Sequence, residues 1–408
     1  MHAAHPDRNI RLLFAYWLLR EFQLWIPVWI VFLTIDRGFS LTQVTLAEGV
    51  YLIGVLALEV PTGAVADRYG RSKSMALGAF ILGIAVLIFA FTETFAILLA
   101  SFLLWSMASA LMSGADLALL FDTLKAANRE DQYERLAGRG IALEWAGIGL
   151  ATLLGGPVAA LTGTRATIFL GAATCLVTAA AALAIWEPPR GREDGDEQPY
   201  FSTISTAFGE AWQAVDVRLL IGLAGTAFAA LEAVHYLIQP FLLDREIEVG
   251  VWFSLLQVPL LGAGLGGALI ADRVMASVGV KALLIGPLAG AACFGLLTIT
   301  PGLAAYAPLL LLVSVGSVVE PIATGYINRR IGSERRATVL SIVSMFRSLV
   351  LAFLAPALGY ATDQWGIAEA FAIGGSMAGL SAIGLGIPFL LRARRPGSAV
   401  TVESSAAG

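Results

Sequence analysis

Three observations predict an all-α integral membrane protein of twelve transmembrane helices in two pseudo-symmetric six-helix halves. Of 408 residues, 58% are apolar and only 14% are charged, and the mean hydropathy is +0.79. Soluble domains hold roughly 45–50% apolar and about 25% charged residues. Long apolar runs recur along the whole chain, and a pattern that closes one of them returns half a chain later. This composition excludes a soluble enzyme, a nucleic-acid binder, a disulfide scaffold and a disordered chain. The net charge of −4 implies no polyanionic partner.

A helix needs about 20 mostly apolar residues to cross the hydrocarbon layer. That ruler places the first six spans at about 10–35, 42–62, 74–92, 95–121, 139–162 and 165–186. The second six fall at about 218–243, 250–271, 281–299, 303–326, 337–361 and 367–391. Their ends coincide with Asp36-Arg37-Gly38, Thr162-Gly163-Thr164 and Thr300-Pro301-Gly302, residues that punctuate regular structure. The first run contains Arg20-Glu21 and no small-residue cleavage site, so it reads as a retained span and not a signal peptide.

Lys and Arg orient the spans, because they concentrate on cytoplasmic loops. With the N-terminus inside, 21 of the 26 fall on inner segments; Arg37, Arg165 and Arg245 fall outside, and Arg20 and Arg347 lie within spans. Both termini are therefore predicted to be cytoplasmic. The longest polar stretch joins spans six and seven. Its Pro188–Glu197 part is a charged linker, and Ser202–Val215 is mildly amphipathic, fit to lie along the membrane surface. The chain divides into a half at 1–186, a linker at 187–217, a half at 218–392 and a tail at 393–408.

An internal repeat supports the division. Asp67-Arg68 closes span two and Asp272-Arg273 closes span eight, 205 positions later; Asp116 in span four and Glu320 in span ten are 204 apart. Halves related in this way place the substrate site near the bilayer midplane.

Charges inside spans cost roughly 2.5–3.5 kcal/mol each and are functional candidates by default. In span one, Arg20 shares a helical stripe with Tyr16 and Gln23, which is expected to face the cavity, whereas Glu21 points about 100° away, towards a neighbouring helix or the cavity wall. In span seven, Glu232, His235, Tyr236 and Gln239 fall on one side at spacings of three, four and seven. Desolvation favours a neutral carboxyl and a nearby cation favours the ionised form. That competition is what proton coupling requires. Glu232 is the first candidate proton carrier and Glu21 the second, with His235 beside them; a static ion pair is the alternative for each. Asp116, Glu144, Glu320 and Arg347 complete the intramembrane set, with Arg347 placed to neutralise Glu320. Gating or helix locking is the expected role of Asp116 and Glu320.

Catalytic and metal chemistry find no support. Cys175 and Cys293 sit far apart in apolar runs, and the histidines are His2, His5 and His235. No metal, cofactor or Ser–His–Asp set is implied. Gly262-Ala263-Gly264-Leu265-Gly266-Gly267 superficially matches a dinucleotide loop, but it lies inside span eight with no preceding strand. With no nucleotide signature, ATP is not the direct energy source.

Pro61-Thr62-Gly63-Ala64-Val65-Ala66-Asp67-Arg68-Tyr69-Gly70-Arg71-Ser72-Lys73 resembles the signature loop of the major facilitator superfamily. That loop reads Gly-x-x-x-Asp-Arg-x-Gly-Arg followed by two basic residues, between spans two and three. Ser72 departs from the basic pair, and Lys73 restores one charge. Gly149, Gly155, Gly156 and Pro157 in span five are similar to the family's antiporter motif, with Val158, Ala159 and Ala160 where glycines would follow. The family's span-four arginine would fall near Ala110 and is absent. The resemblance covers essentially the whole chain and is strongest to twelve-span bacterial drug:proton antiporters.

The resemblance implies the major facilitator fold, a bacterial inner-membrane location, a monomer, and protons and a small molecule as partners. It makes the loop a gate. Asp67 would rest against the N-terminus of span eleven near Arg336-Ala337, and Arg68 and Arg71 would pair with Asp122, with Gly63, Gly70, Asp272 and Arg273 as the remaining loop residues. The activity so implied is proton-coupled efflux of amphipathic or drug-like compounds by alternating access. The alternatives are a proton-linked importer of a small metabolite and a non-transporting membrane sensor.

Overall fold

A computed structural model describes residues 6–188, 215–331 and 333–393, without the side chains of Val60, Ala64, Asp67, Ser333, Glu334, Arg335 and Ala337. The charged linker, nearly all of the amphipathic segment and the tail beyond Ala393 lie outside the described residues, as does the side chain of Asp67. All regular structure among the described residues is helical. Among the described residues, eleven helical stretches are long and apolar enough to cross a membrane. One of them, Val251–Ile299, holds two helices joined by a short turn at Gly279–Lys281, so the described residues hold twelve spans.

They are α1 (Pro6–Asp36), α2 (Leu41–Tyr69), α3 (Arg71–Ala90), α4 (Phe95–Lys125), α5 (Tyr133–Thr162) and α6 (Thr164–Leu183). The second set is α7 (Val215–Asp244), α8 (Val251–Val278), α9 (Ala282–Ile299), α10 (Tyr306–Arg330), α11 (Ser333–Trp365) and α12 (Ile367–Ala393). The chain forms two compact units. The first contains Met1–Asp194, Tyr236–Leu261 and Ala355–Asp363; the second contains Gly195–His235, Gly262–Leu354 and Gln364–Gly408.

In the first unit α3 packs on α4 and α6, α2 on α4, and α1 on α5 and α6. An aromatic cluster fills its interior, with Trp25 edge-on to Trp105 at 4.9 Å and Phe32 5.4 Å from Phe89. In the second unit α9 lies between α10 and α12, around Phe294 and Phe371. Outward-facing side chains such as Phe80, Leu103, Leu269 and Phe353 are exposed, as suits a surface whose solvent is hydrocarbon.

Three spans are interrupted, and the interruptions build the site. Continuous helices were the expectation for all three. α1 is helical to Glu21, irregular through Trp25, and resumes as short helical turns from Ile26 to Asp36. Pro27 favours the break: it has no N–H, and its ring clashes with the carbonyl four residues back, that of Gln23. Inside a membrane the freed backbone groups must be satisfied by protein. Gln239 accepts from the amides of Ile30 (3.0 Å) and Val31 (3.3 Å) and donates to the Ile26 carbonyl (3.0 Å), while Gln257 donates to the Pro27 carbonyl at 3.1 Å.

α7 tightens to a 3₁₀ turn at Ala233–Leu237, ahead of Pro240, whose ring conflicts with the Tyr236 carbonyl. α4 breaks at Ser113-Gly114, where Gly114 takes a φ of 69° that side chains with a Cβ avoid.

Candidate functional site

The breaks in α1 and α4 face a cavity of about 450 Å³ in the first unit. Trp25, Trp29, Tyr51 and Trp105 give it aromatic walls, while Arg20, Glu21, Glu48 and Ser109 give it polar ones. Glu48 accepts a hydrogen bond from the Tyr236 hydroxyl at 3.2 Å, and the Tyr51 hydroxyl donates to Ser109 at 3.2 Å.

Arg20 sits at the end of the helical part of α1 and uses its planar fork on three carboxylates at once. Nε bonds Glu21 at 2.9 Å, Nη1 bonds Asp116 at 2.9 Å, and Nη2 pairs with Glu144. Asp116 also accepts from the Trp17 indole at 2.7 Å. It reaches this position because α4 restarts at Ala115, which leaves Asp116 in a first turn and 5% exposed. Asp116, Glu144 and Arg20 line a second cavity of about 260 Å³. With all groups ionised the four side chains carry −2, and Glu48 adds another negative charge on the cavity wall.

The second unit holds a related cluster. Arg347 on α11 bonds Glu320 on α10 at 2.7 Å and Glu232 on α7 at 3.3 Å, beside a cavity of about 210 Å³ lined by Phe228, Glu320, Ser344 and Arg347. Counted within each half, both clusters draw on the first, fourth and fifth spans. The arginine sits on the first span in one unit and on the fifth in the other. Elsewhere in this unit, buried Asp216 at the start of α7 accepts from Tyr326 (2.9 Å) and Arg330 (2.8 Å) on α10.

At the signature loop, Arg71 pairs with Asp122, and Gly70 joins α2 to α3 with φ 110°. The Glu187 carboxylate accepts from the amides of Arg71 and Ser72, both at 2.9 Å, and so caps α3. Arg68 is exposed and lies 5.5 Å from the ring centre of Tyr69. Gly63 is exposed, and a Cβ there would meet nothing within 4 Å. In the second copy Asp272 and Arg273 are exposed, and α8 continues to Val278 because Met275 stands where the first copy has Gly70.

Several placements differ from the helical stripes that spacing implies. Tyr16 is fully buried and does not line the cavity. It stays one helical turn from Arg20, whose guanidinium lies 5.7 Å from its ring centre, and only Gln23 leaves the stripe, because the helix ends at Glu21. Gln23 borders the cavity, yet its amide is engaged by the Arg20 carbonyl and the Trp25 indole. Glu21 lies on the wall of the same cavity as Arg20, the second of its two expected positions, and a Cβ on Gly147 of α5 would lie 3.2 Å from its Cβ. In α7 the 3₁₀ turn advances about 120° per residue and scatters the expected side. His235 is exposed with Nδ1 2.8 Å from the Glu232 carbonyl, Tyr236 reaches Glu48, and Gln239 is consumed by the broken backbone of α1. Of the antiporter-like motif, Gly155 and Gly156 are packed, since a Cβ would lie 2.3 Å from the Leu24 carbonyl or 2.4 Å from that of Gly250. Gly149 meets nothing within 4 Å, and Pro157 lies inside the continuous α5.

Sequence reasoning missed Glu48. An acid several residues inside a span is itself the signal, but the polar Ser40–Thr45 approach makes it read as a solvated helix end. It also missed Glu187 as a cap and the buried Asp216.

The model of the Major Facilitator Superfamily matches residues 12–353. An uncharacterized MFS-type transporter, YxaM of Bacillus subtilis (strain 168), is 34% identical over 89 residues, which is 22% of each chain. Among solved structures, the nucleoside transporter NupG superposes with a TM-score of 0.76 at 14% identity, covering 96% of this chain and 99% of that one. A bacterial homolog to the human lysosomal transporter Spinster, in an inward-facing and unoccupied conformation, gives 0.74 at 16% identity over 97% and 100%. The D-xylose-proton symporter gives 0.70 at 14% over 93% and 96%. At these identities the structures show a shared fold.

Proposed function

The chain belongs to the major facilitator superfamily, and from that membership we propose that it exports small amphipathic or drug-like compounds in exchange for protons. It would work by alternating access, as a monomer in a bacterial inner membrane with both termini cytoplasmic. Its division is 1–186 and 218–392 for the transporting halves, with 187–217 as linker.

One observation carries this reading: a single guanidinium is shared by three carboxylates on the edge of an aromatic cavity. Uncompensated charge at membrane depth is expensive. Either protons or a cationic group on the substrate can relieve it, and two species that relieve the same charge compete for it. Such competition converts a proton gradient into substrate movement. The aromatic walls suit a lipophilic body. Glu21 and Glu48 are placed to take its cationic group, with Arg20, Asp116 and Glu144 setting the charge behind them. Glu232, held by Arg347, is the proton carrier on the other unit, with His235 following it in the 3₁₀ turn. The signature loop, with its Arg71–Asp122 pair, acts as the cytoplasmic gate.

The test is reconstitution in liposomes with a pH gradient imposed in each direction, following internal pH and a panel of lipophilic cations and neutral compounds. Proton counterflow driven by a substrate is the expected result. Protons moving with the substrate would make the protein an importer, and no coupled flux across the panel would overturn the drug-export reading.

A further inference from the structure

The outer end of α2 is held by a side chain from the far end of the sequence. Asp363 Oδ1 accepts from the Leu41 amide at 3.0 Å, and Oδ2 accepts from the Thr42 amide at 2.8 Å and from the Thr42 hydroxyl. The two helices touch one turn away: a Cβ on Gly359 would lie 2.4 Å from the Thr45 hydroxyl and 2.8 Å from the Leu41 carbonyl. α2 already carries its own capping box, with Ser40 and Gln43 bonding each other's amides. Asp363 therefore adds a contact that local capping of α2 does not need. It joins segments more than 300 residues apart through amides that water would otherwise satisfy.

The position is specific. Asp363 stands two residues before the end of α11, in Asp363-Gln364-Trp365-Gly366, and Gly366 ends the helix with φ 115°. Asp67 stands two residues before the end of α2, in Asp67-Arg68-Tyr69-Gly70, where Gly70 has φ 110°. Each helix thus ends on Asp-x-aromatic-Gly, and at Asp363 the carboxylate is seated on the positive end of the other helix.

We infer that Asp363 is a positioning residue of the transport cycle, a clasp on the N-terminus of α2 that biases the carrier against opening outward. The inference rests on the transport reading and orientation proposed above, which put Leu41 and Asp363 on the outer face. A bond of this kind suits a clasp. Asp363 is exposed, and its hydrogen bonds are ones that water can replace, so the clasp can open and close within a cycle.

The experiment uses the full-length protein carrying Ser109→Cys as a thiol on the cavity wall, in right-side-out and inside-out vesicles treated with a membrane-impermeant maleimide. Asp363→Ala is expected to raise the labelling rate from the outer face about fivefold, the effect of losing a helix cap. Asp363→Asn, which keeps an acceptor but no charge, should fall between, and Thr42→Val should show a smaller rise. Labelling that rises only from the inner face would refute the proposed orientation while leaving the clasp standing. Unchanged labelling from both faces in Asp363→Ala overturns the clasp. Should that variant fail to fold, unchanged labelling in both Asp363→Asn and Thr42→Val does the same.

Discussion

Arg20 is expected to be the most costly single side chain to remove among the four in its cluster. Arg20→Gln leaves Glu21, Asp116 and Glu144 with no cation, and breaking a buried pair costs about 3–5 kcal/mol. Arg20 keeps 20% side-chain exposure, which puts the expectation at the lower end. Asp116→Asn should cost less, because its carbonyl can still accept from Trp17 and Arg20 keeps two carboxylates. Thermal unfolding in detergent checks the order: a larger drop for Asp116→Asn than for Arg20→Gln would mean the aspartate, not the arginine, organises the cluster. On the other unit, Glu232→Gln is expected to abolish uphill transport driven by a pH gradient while sparing expression and substrate binding, since Arg347 keeps Glu320. Transport against a gradient and equilibrium binding are the two measurements. Uphill transport at the unmodified rate would remove Glu232 from the coupling path.

At the scale of the helix, α5 meets α1 through Gly140, Gly147 and Gly155, whereas Gly149 lies off that contact. A Cβ at Gly155 would lie 2.3 Å from the Leu24 carbonyl and 2.5 Å from Pro27 Cγ, both in the broken stretch of α1. Gly155→Ala should therefore cost about 1–3 kcal/mol of overpacking and impair transport by displacing Trp25 and Ile26 on the cavity wall. Gly149→Ala fills open space and should gain about 0.5–1 kcal/mol, as Gly-to-Ala changes within helices do. Melting temperatures that move in the same direction for both variants would contradict this packing. The number of spans was legible in the sequence because crossing a bilayer imposes a length of apolar helix. The pairs within the site were legible where the helices are continuous, as for Arg347 with Glu320 on α11 and α10. Where a span breaks, spacing misleads. Pro27 and Pro240 interrupt their helices, but Pro61, Pro157, Pro259, Pro287, Pro321 and Pro356 sit inside unbroken ones. Proline alone does not decide the outcome. For Pro27 it is decided by whether distant side chains, here Gln239 and Gln257, can satisfy the freed backbone, and no local window of sequence contains them.

For the whole molecule, the repeat and the charge bias make separate demands. The repeat places Asp116 and Glu320 on corresponding spans, and each is bound by an arginine in its own unit, on α1 in the first and α11 in the second. Each fourth span thus carries a bridged acid, and the bridging cation stands on a different helix in the two units. The charge bias predicts the orientation, because 21 of 26 basic residues fall on one side when the loops are read alternately. Thiol mapping tests it cleanly, because the native Cys175 and Cys293 are 1% and 2% exposed and should react slowly. In right-side-out vesicles an impermeant maleimide should label Glu93→Cys and Leu303→Cys, at the exposed turns before α4 and α10. It should spare Ala126→Cys and Lys281→Cys until the membrane is made permeable. The reverse pattern would invert the topology and exchange the assignments of inner gate and outer clasp, while the direction of exchange would still follow the imposed gradients. A mixture of the two patterns at full occupancy would mean that the twenty-one charges do not set a single orientation.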